Sequence, residues 1–237
     1  MATAGSKRIK VKQPAPGFST LLNIFARRHA ELRHSRLKAA EAFIAEFTQM
    51  RRSLNLDRKP HINIFERLSF GNNEVALSSL LAWLLNERSS HYHGNLFLSR
   101  LVALCKLPLP NDILTDYRVT TEFGGTESIV DIMVYRKPHF LLYIENKILS
   151  AEGDDQTHRE FRDMRRIGAG LGIAQDRQFA IFMTPTGSLP SDRDHWHPLS
   201  MNDLADAFLG LGERIRSMKL RYLLDDFHEM TTIWRRS

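Results

Sequence analysis

Three charged side chains, Asp131, Glu145 and Lys147, lie within a largely apolar part of the sequence. Two neighbouring carboxylates repel each other unless a cation lies between them, and oxygen ligands of this kind suit Mg²⁺ or Mn²⁺. Such an ion polarises a phosphodiester, while an ammonium group stabilises developing negative charge or orients a nucleophile. The residue types therefore predict a metal-dependent site for phosphate-ester chemistry. The alternative is that the glutamate and lysine form an ordinary solvated pair.

These residues require two strands to bring them together. The sequence predicts a first strand over 128–136 and a second over 140–148, joined by a tight turn at 137–139 that contains proline. Alternate side chains of a strand share a face, so Glu145 projects with the lysine from the end of the second strand. If the strands pair antiparallel, Asp131 lies opposite Glu145, because both are at a similar distance from the turn.

The pattern of Asp131 followed by Glu145-Asn146-Lys147 resembles the D…ExK core of the PD-(D/E)xK nuclease superfamily. The segment 63–85 is similar to the helical entry of one bacterial branch, in which a helix carries a glutamate, a serine and an Ala-Trp-Leu-Leu run. The resemblance extends roughly from residue 62 to the C-terminus. It has two departures: Val130 replaces the proline of the superfamily name, and Leu77 replaces a histidine frequent in that branch.

The resemblance implies a fold and an activity. The fold is an α/β domain with a restriction-endonuclease-like core, in which a mixed central sheet is flanked by helices and preceded by an N-terminal helical extension. The activity is that of a Mg²⁺-dependent nuclease acting on DNA, with Mn²⁺ as a substitute ion. Asp131 and Glu145 would bind the metal, together with the main-chain carbonyl of Asn146, and Lys147 would orient or activate water.

Two further residues take roles from the same resemblance. Glu74 would assist the metal site, although a glutamate in the first turn of a helix also serves as a cap that complements the helix dipole. Gln156 would position the attacked phosphate, although it is equally explained as a solvent-facing side chain near a helix N-terminus. Glu122, at the end of a predicted strand over 116–123, is a further candidate ligand.

The remaining elements follow from periodicity and turn residues. A helix over about 73–86 should bury Val75, Leu81, Leu84 and Leu85, and another runs over about 152–167. The apolar run 179–183 predicts a central strand, parallel to the strand over 140–148 because a helix separates them. The segment 192–197, which contains two aspartates and two histidines, is interpreted as a surface loop in preference to a second metal site.

Charged residues are distributed unevenly along the chain. Residues 1–60 contain 13 Lys or Arg against 4 Asp or Glu, whereas residues 61–237 contain 20 against 23. We interpret 1–17 as a mobile basic arm, 18–60 as a basic helical extension with a possible break near His34-Ser35, and 61–237 as the nuclease-like domain. The concentration of positive charge indicates a polyanion partner or a solvated helix face. Candidate contacts to nucleic acid are Arg27, Arg28, Arg51, Arg52 and Arg159.

Composition excludes several classes of protein. No apolar run approaches the length of a bilayer span, and no apolar segment leads to a signal-peptide cleavage site. The single cysteine excludes an intrachain disulfide, so we expect a cytoplasmic protein. A homodimer is a possible state, because cutting both strands of a duplex favours a two-fold arrangement.

Three other functions are compatible with the residues. A catalytically silent module could use the same fold to bind nucleic acid or a protein, although binding alone does not require a cluster of carboxylates. A helical adaptor could dimerise through the N-terminal helix and use its charges only for solubility. A metal-dependent phosphatase or nucleotide hydrolase would use the same chemistry on another phosphate ester.

Overall fold

A computed structural model of the chain describes residues 17–53, 63–68, 73–148 and 152–234. Within these ranges the chain divides into two compact units, Met1–His61 and Ile62–Ser237. The expected basic arm, apart from Gly17, and the break expected at 55–60 lie outside the described residues. No helix in the described ranges is long and apolar enough to span a bilayer.

The first unit contains the helix α1, Phe18–Ser53. It continues without a break through His34-Ser35, where the sequence had left an interruption open. Apolar side chains along it are solvent-exposed, from Phe47 at 45% to Phe25 at 73%. Residues 18–53 therefore form one long helix with exposed apolar side chains.

The second unit is built on a five-stranded mixed sheet. Its strands, in both chain order and spatial order, are β1 (Arg118–Gly124), β2 (Ile129–Arg136), β3 (Phe140–Asn146), β4 (Gln178–Thr184) and β5 (Trp196–Ser200). The first three strands are antiparallel neighbours, whereas β3, β4 and β5 are parallel. The predicted parallel pairing of the apolar strand over 179–183 with its neighbour across a helical crossover is confirmed.

The β2–β3 hairpin fixes the register of the acidic residues. Arg136 pairs with Phe140 across the turn, and Ile132 pairs with Ile144 further along. One step beyond that last pair, Asp131 comes opposite Glu145, as the distances from the turn predict.

Helices cover both faces of the sheet. Inward side chains such as Leu142 and Ile144 belong to the larger core, and Leu141 and Tyr143 belong to the smaller core on the opposite face. The helices that contribute to the larger core are α2 (Ile64–Arg67), α3 (Glu74–Leu85), α4 (Leu96–Leu104), α6 (Met201–Leu209) and α7 (Met218–Trp234), while α5 (Gln156–Gly170) packs on the other face. The α/β fold with a mixed sheet flanked by helices is confirmed.

Three details differ from the sequence-based expectations. Val75 is 51% exposed, because the buried face of α3 is formed by Leu77, Ser78 and the residues one turn later. Helix α5 begins at Gln156 rather than at residue 152, since Asp155 before it has a left-handed backbone conformation. Part of the expected loop over 192–197 is the start of strand β5, which is short and partly polar and so lacks a clear strand pattern.

Candidate active site

Asp131 and Glu145 are tied to each other by the hairpin that carries them. The main-chain N–H of Asn146 donates to Oδ2 of Asp131 at 2.7 Å, and the N–H of Asp131 faces Oε2 of Glu145 at 3.4 Å. Each carboxylate is thus held by the main chain of the opposite strand. This reciprocal arrangement follows directly from the antiparallel register, and it keeps both acids at the same end of the sheet.

Lys147 is the cation at this end. It follows the last residue of β3, and its N–H donates to the carbonyl of Met183 on β4 at 2.8 Å. Its Nζ atom lies 3.0 Å from Oε1 of Glu145, and the side chains of this pair are only 14% and 4% exposed. The pair is therefore not the solvated surface pair that spacing alone leaves open.

Burial and crowding oppose ionisation of the two acids. Burial raises the pKa of Asp131 above its ordinary value, and the charges of Glu74 and Glu122 add to the shift. Burial also raises the pKa of Glu145, reinforced by the charge of Asp131. Burial alone would lower the pKa of Lys147, but the surrounding carboxylates, led by Glu145 and joined by Glu74 and Asp131, outweigh it and the net shift is upward. Negative charge at this end of the sheet therefore exceeds what one ammonium group balances.

Glu74 reaches this site from helix α3. Its Oε1 accepts a hydrogen bond from the N–H of Ile148 at 2.8 Å. The capping role is filled by its neighbour Asn73, whose Oδ1 accepts from the N–H of Ala76 at 3.0 Å. The glutamate is thus directed at the end of β3 instead of at its own helix, which fits the role implied by the resemblance better than the simple cap.

Asn146 and Ser78 connect the same strand to α3. The side chain of Asn146 is fully buried, and its Nδ2 donates to Oγ of Ser78 at 2.7 Å. Ser78 in turn donates to the carbonyl of Glu74 at 2.8 Å. Because strand side chains alternate, the Asn146 amide lies on the face of the sheet opposite to Glu145, so only its main chain faces Asp131. The contact anchors α3 and hence Glu74.

Gln156 contacts the site and does not face solvent. Its Nε2 donates to Oε1 of Glu145 at 2.6 Å and to Oε1 of Glu160 at 2.7 Å, and its Oε1 accepts from the N–H of Gly153 at 3.1 Å. Glu160 was not predicted from the sequence. The only available signal was the four-residue spacing from Gln156, which places both side chains on one face of a helix.

Glu122 lies on β1 near Asp131, since its charge contributes to the raised pKa of that acid. The side chain is exposed, and its backbone has φ +48° in the left-handed region, which is uncommon for a residue other than glycine. The structure therefore brings a fourth acid to the same end of the sheet, on its solvent side.

The basic side chains of α5 are largely engaged with acids or carbonyls. Arg162 and Arg166 donate to the two oxygens of Glu127, at 2.8 and 2.9 Å. Arg159 donates to the main-chain carbonyl of Asp154. These partners reduce the positive charge that α5 offers to a ligand.

On α1, the candidate arginines whose side chains the structure describes are exposed to solvent. Arg27 pairs with Glu31 at 3.3 Å, and both side chains are well exposed. Arg28 is also exposed. The side chains of Arg51 and Arg52 lie outside the described residues.

The segment 192–197 packs against α5. The Nδ1 atom of His195 lies 2.7 Å from Oδ1 of Asp192, and the imidazole stacks on Phe161 with centroids 4.0 Å apart. Asp192 is buried, which a simple surface loop would not require. Residues 193–195 remain an exposed turn, as predicted, and the buried Asp192 anchors this loop where it leads into β5.

The donor set at the end of the sheet suits a divalent cation of the oxygen-binding kind. Asp131 and Glu145 are buried acids in one another's field, and an added positive charge would remove the cost of ionising both. In the described part of the chain, however, no three His, Cys, Asp or Glu side chains already surround a common point. Local adjustment of side chains would accompany binding, because Oε1 of Glu145 is engaged by Lys147 and Oε1 of Glu74 by the N–H of Ile148.

Comparison with known proteins points to one family. The model of the PD-(D/E)XK nuclease superfamily matches residues 62–237. No curated protein and no solved structure matches the chain. The matched region contains the whole sheet and every acidic, amide and lysine side chain described above at its end.

Proposed function

Because the chain belongs to the PD-(D/E)XK nuclease superfamily, we propose that it is a Mg²⁺-dependent nuclease that hydrolyses phosphodiester bonds in DNA. The observation that carries this proposal is the joint position of Asp131, Glu145 and Lys147. Both acids are held by the hairpin register, and the ammonium group lies 3.0 Å from Glu145. Buried acids with raised pKa values are costly to a fold, and they cluster where a protein performs chemistry.

Asp131, Glu145 and the main-chain carbonyl of Asn146 are the groups that would hold the ion, with Glu74 assisting. A bound Mg²⁺ would supply positive charge to the phosphate oxygens and make the attacking water more acidic. Mn²⁺ has the same preference for oxygen ligands and should substitute.

The chain's own groups contribute the remaining steps. Lys147 orients the attacking water and stabilises the negative charge that develops on the phosphate. Gln156 donates to Glu145 and would help to position the phosphate by fixing the orientation of that acid. The lysine side chain is only 14% exposed, and the exclusion of water strengthens its interaction with nearby charge.

The helix α1 would supply affinity for the phosphate backbone. Arg27 and Arg28 are exposed on it, and Arg51 and Arg52 belong to the same helix. Such contacts attract DNA without selecting a sequence, and they would offset the repulsion between phosphate and the acidic site. Arg159, on α5 of the second unit, would add a further contact. A cytoplasmic homodimer is the state in which we expect the protein to act.

The test is cleavage of supercoiled plasmid by purified protein in Mg²⁺, Mn²⁺ or EDTA, with a single-stranded DNA and an RNA substrate in parallel. We expect nicking with either ion and none in EDTA. Cleavage that persists in EDTA would refute the metal-dependent assignment, and cleavage of RNA alone would refute the DNA assignment.

A catalytically silent nucleic-acid-binding or partner-binding module of the same fold is the alternative. It predicts salt-dependent retention of DNA on a gel with no cleavage under any of these conditions. The crowded acids speak against this alternative, because a site used only to bind a polyanion gains nothing from excess negative charge.

A further inference from the structure

The carboxamide of Gln156 is held between two acids. Its single nitrogen, Nε2, donates one hydrogen bond to Glu145 at 2.6 Å and another to Glu160 at 2.7 Å. An amide nitrogen has two hydrogens, so both are used. The orientation of this side chain therefore depends on Glu160 as much as on Glu145.

Glu160 is an unusual partner for such a contact. The Glu160 side chain is fully buried on α5. The ammonium group of Lys147, which is the nearby positive charge, contacts Glu145. Burial, followed by the charge of Glu145, raises the pKa of Glu160 well above the ordinary carboxyl range. Burial raises the pKa of the neighbouring Tyr143 hydroxyl, and the charges of Asp163 and Glu160 add to the shift. The surroundings of Glu160 thus favour its uncharged form.

Glu145 is constrained through the same contact. Its Oε1 accepts from Gln156 at 2.6 Å and lies 3.0 Å from Nζ of Lys147. A rotation of Glu145 would break both interactions. Loss of the Glu160 contact would leave Gln156 held only by Glu145 and by the N–H of Gly153, and its hold on Glu145 would weaken.

We propose that Glu160 is a positioning residue of the active site, which holds the Gln156 carboxamide against Glu145 by accepting a hydrogen bond and does not bind the metal. The proposal rests on the nuclease function proposed above. Glu160 acts through Gln156 and needs no contact with the substrate.

Two other roles make different predictions. A buried side chain that only fills space tolerates an apolar side chain of the same length. A charged metal ligand does not tolerate the neutral amide. Three variants separate these roles: Glu160→Gln keeps length and an acceptor oxygen without charge, Glu160→Met keeps length without an acceptor, and Glu160→Asp keeps the acid but shortens its reach.

The first readout needs neither metal nor substrate. The side-chain amide resonances of Gln156 in metal-free protein, identified by their loss in Gln156→Ala, report whether both hydrogens are bonded. We expect the wild-type shifts and slow hydrogen exchange to persist in Glu160→Gln and to be lost in Glu160→Met and Glu160→Asp. Wild-type resonances in Glu160→Met would overturn the proposal.

The second readout is cleavage. Supporting residues of metal sites typically change activity by about 10–100-fold when they are removed. We expect that loss in kcat for Glu160→Met, with little change in KM, and activity close to wild type for Glu160→Gln. A Glu160→Gln variant that keeps the amide resonances but loses cleavage would identify a charged ligand and overturn the proposal. If the wild-type protein cleaves none of the substrates, the proposed nuclease function is wrong. The resonance test of the contact between Glu160 and Gln156 remains valid in that case.

Discussion

The main-chain N–H of Asn146 donates to Oδ2 of Asp131 at 2.7 Å, so the acid on β2 is held by the strand that ends in Glu145 and Lys147. The contact is a product of antiparallel register and not of loop conformation. A site built on paired strands is fixed in register, because a shift by one residue would exchange the side chains of β3 between the two cores on opposite faces of the sheet.

Replacement of Asp131 by asparagine tests the role of this carboxylate in cleavage separately from its role in the stability of the fold. We expect Asp131→Asn to lower plasmid cleavage by more than about 100-fold, since it removes a charge from the metal site. Thermal stability should be equal or higher, because a buried acid that repels Glu145 becomes neutral. The exposed Asp176→Asn change is the matched control and should leave the rate unchanged. A variant that retains wild-type cleavage would exclude Asp131 as a ligand.

Metal-free protein should lose stability as the pH rises. The folded-state pKa values of Asp131, Glu145 and Glu160 are raised, so the folded protein retains protons that the unfolded chain releases above about pH 4. Their contribution is fully present below that pH and is lost as the pH increases through the raised values. Melting temperatures in EDTA should therefore fall from pH 5 to pH 8, by about 2–4 °C for each 1 kcal/mol lost.

Added Mg²⁺ should raise the melting temperature that the metal-free protein loses at pH 8, because an ion that binds only the folded protein stabilises it. The Asp131→Asn variant should show a weaker dependence on both pH and Mg²⁺. Equal melting temperatures at pH 5 and pH 8 in EDTA would contradict the raised pKa values.

The contribution of the contact between β3 and α3 can be measured as a change in the free energy of unfolding. Ser78→Ala would leave the buried Nδ2 of Asn146 without its acceptor, at a cost of about 1–3 kcal/mol in the free energy of unfolding. The adjacent Ser79→Ala is an ideal control, since that side chain is exposed and its loss should cost less than about 0.5 kcal/mol. Urea unfolding of both variants measures the difference. Equal midpoints would show that the contact does not anchor the helix.

The contribution of α1 to DNA affinity predicts a salt effect. Each lost phosphate contact should reduce the slope of log affinity against log salt by about 0.9. We expect the double change Arg27→Ala and Arg28→Ala to lower both affinity and slope. The control is Arg162→Ala with Arg166→Ala, because those side chains already pair with Glu127. The idea fails if the two double variants bind DNA alike across a salt titration.

The hairpin was predictable because its determinants are local. The turn at 137–139 and the alternation of β3 are sufficient to place Asp131 opposite Glu145 and to put Lys147 beside it. The contact from Glu74 required a match to a family pattern, since nothing in its helix indicates that it points to Ile148.

Other features depend on packing between distant segments. Glu160 appears from the sequence as one more charge on a polar helix, and its burial follows only from the seating of α5 on β3. Val75 fits a helical stripe equally well, yet the face chosen for burial is set by the sheet beneath α3. Strand β5 is recognisable only beside β4, because it has only five residues and one of them is a proline, which is disfavoured within strands.

The most direct test of the central claim compares Lys147→Ala with Lys137→Ala in Mg²⁺-dependent cleavage of supercoiled plasmid. The two lysines lie at opposite ends of the β2–β3 hairpin, one 3.0 Å from Glu145 and the other in the exposed turn. We expect Lys147→Ala to abolish nicking while circular dichroism and DNA retention stay unchanged, and Lys137→Ala to cleave like the wild type. Equal cleavage by the wild type and a folded Lys147→Ala variant would contradict the assignment of this site.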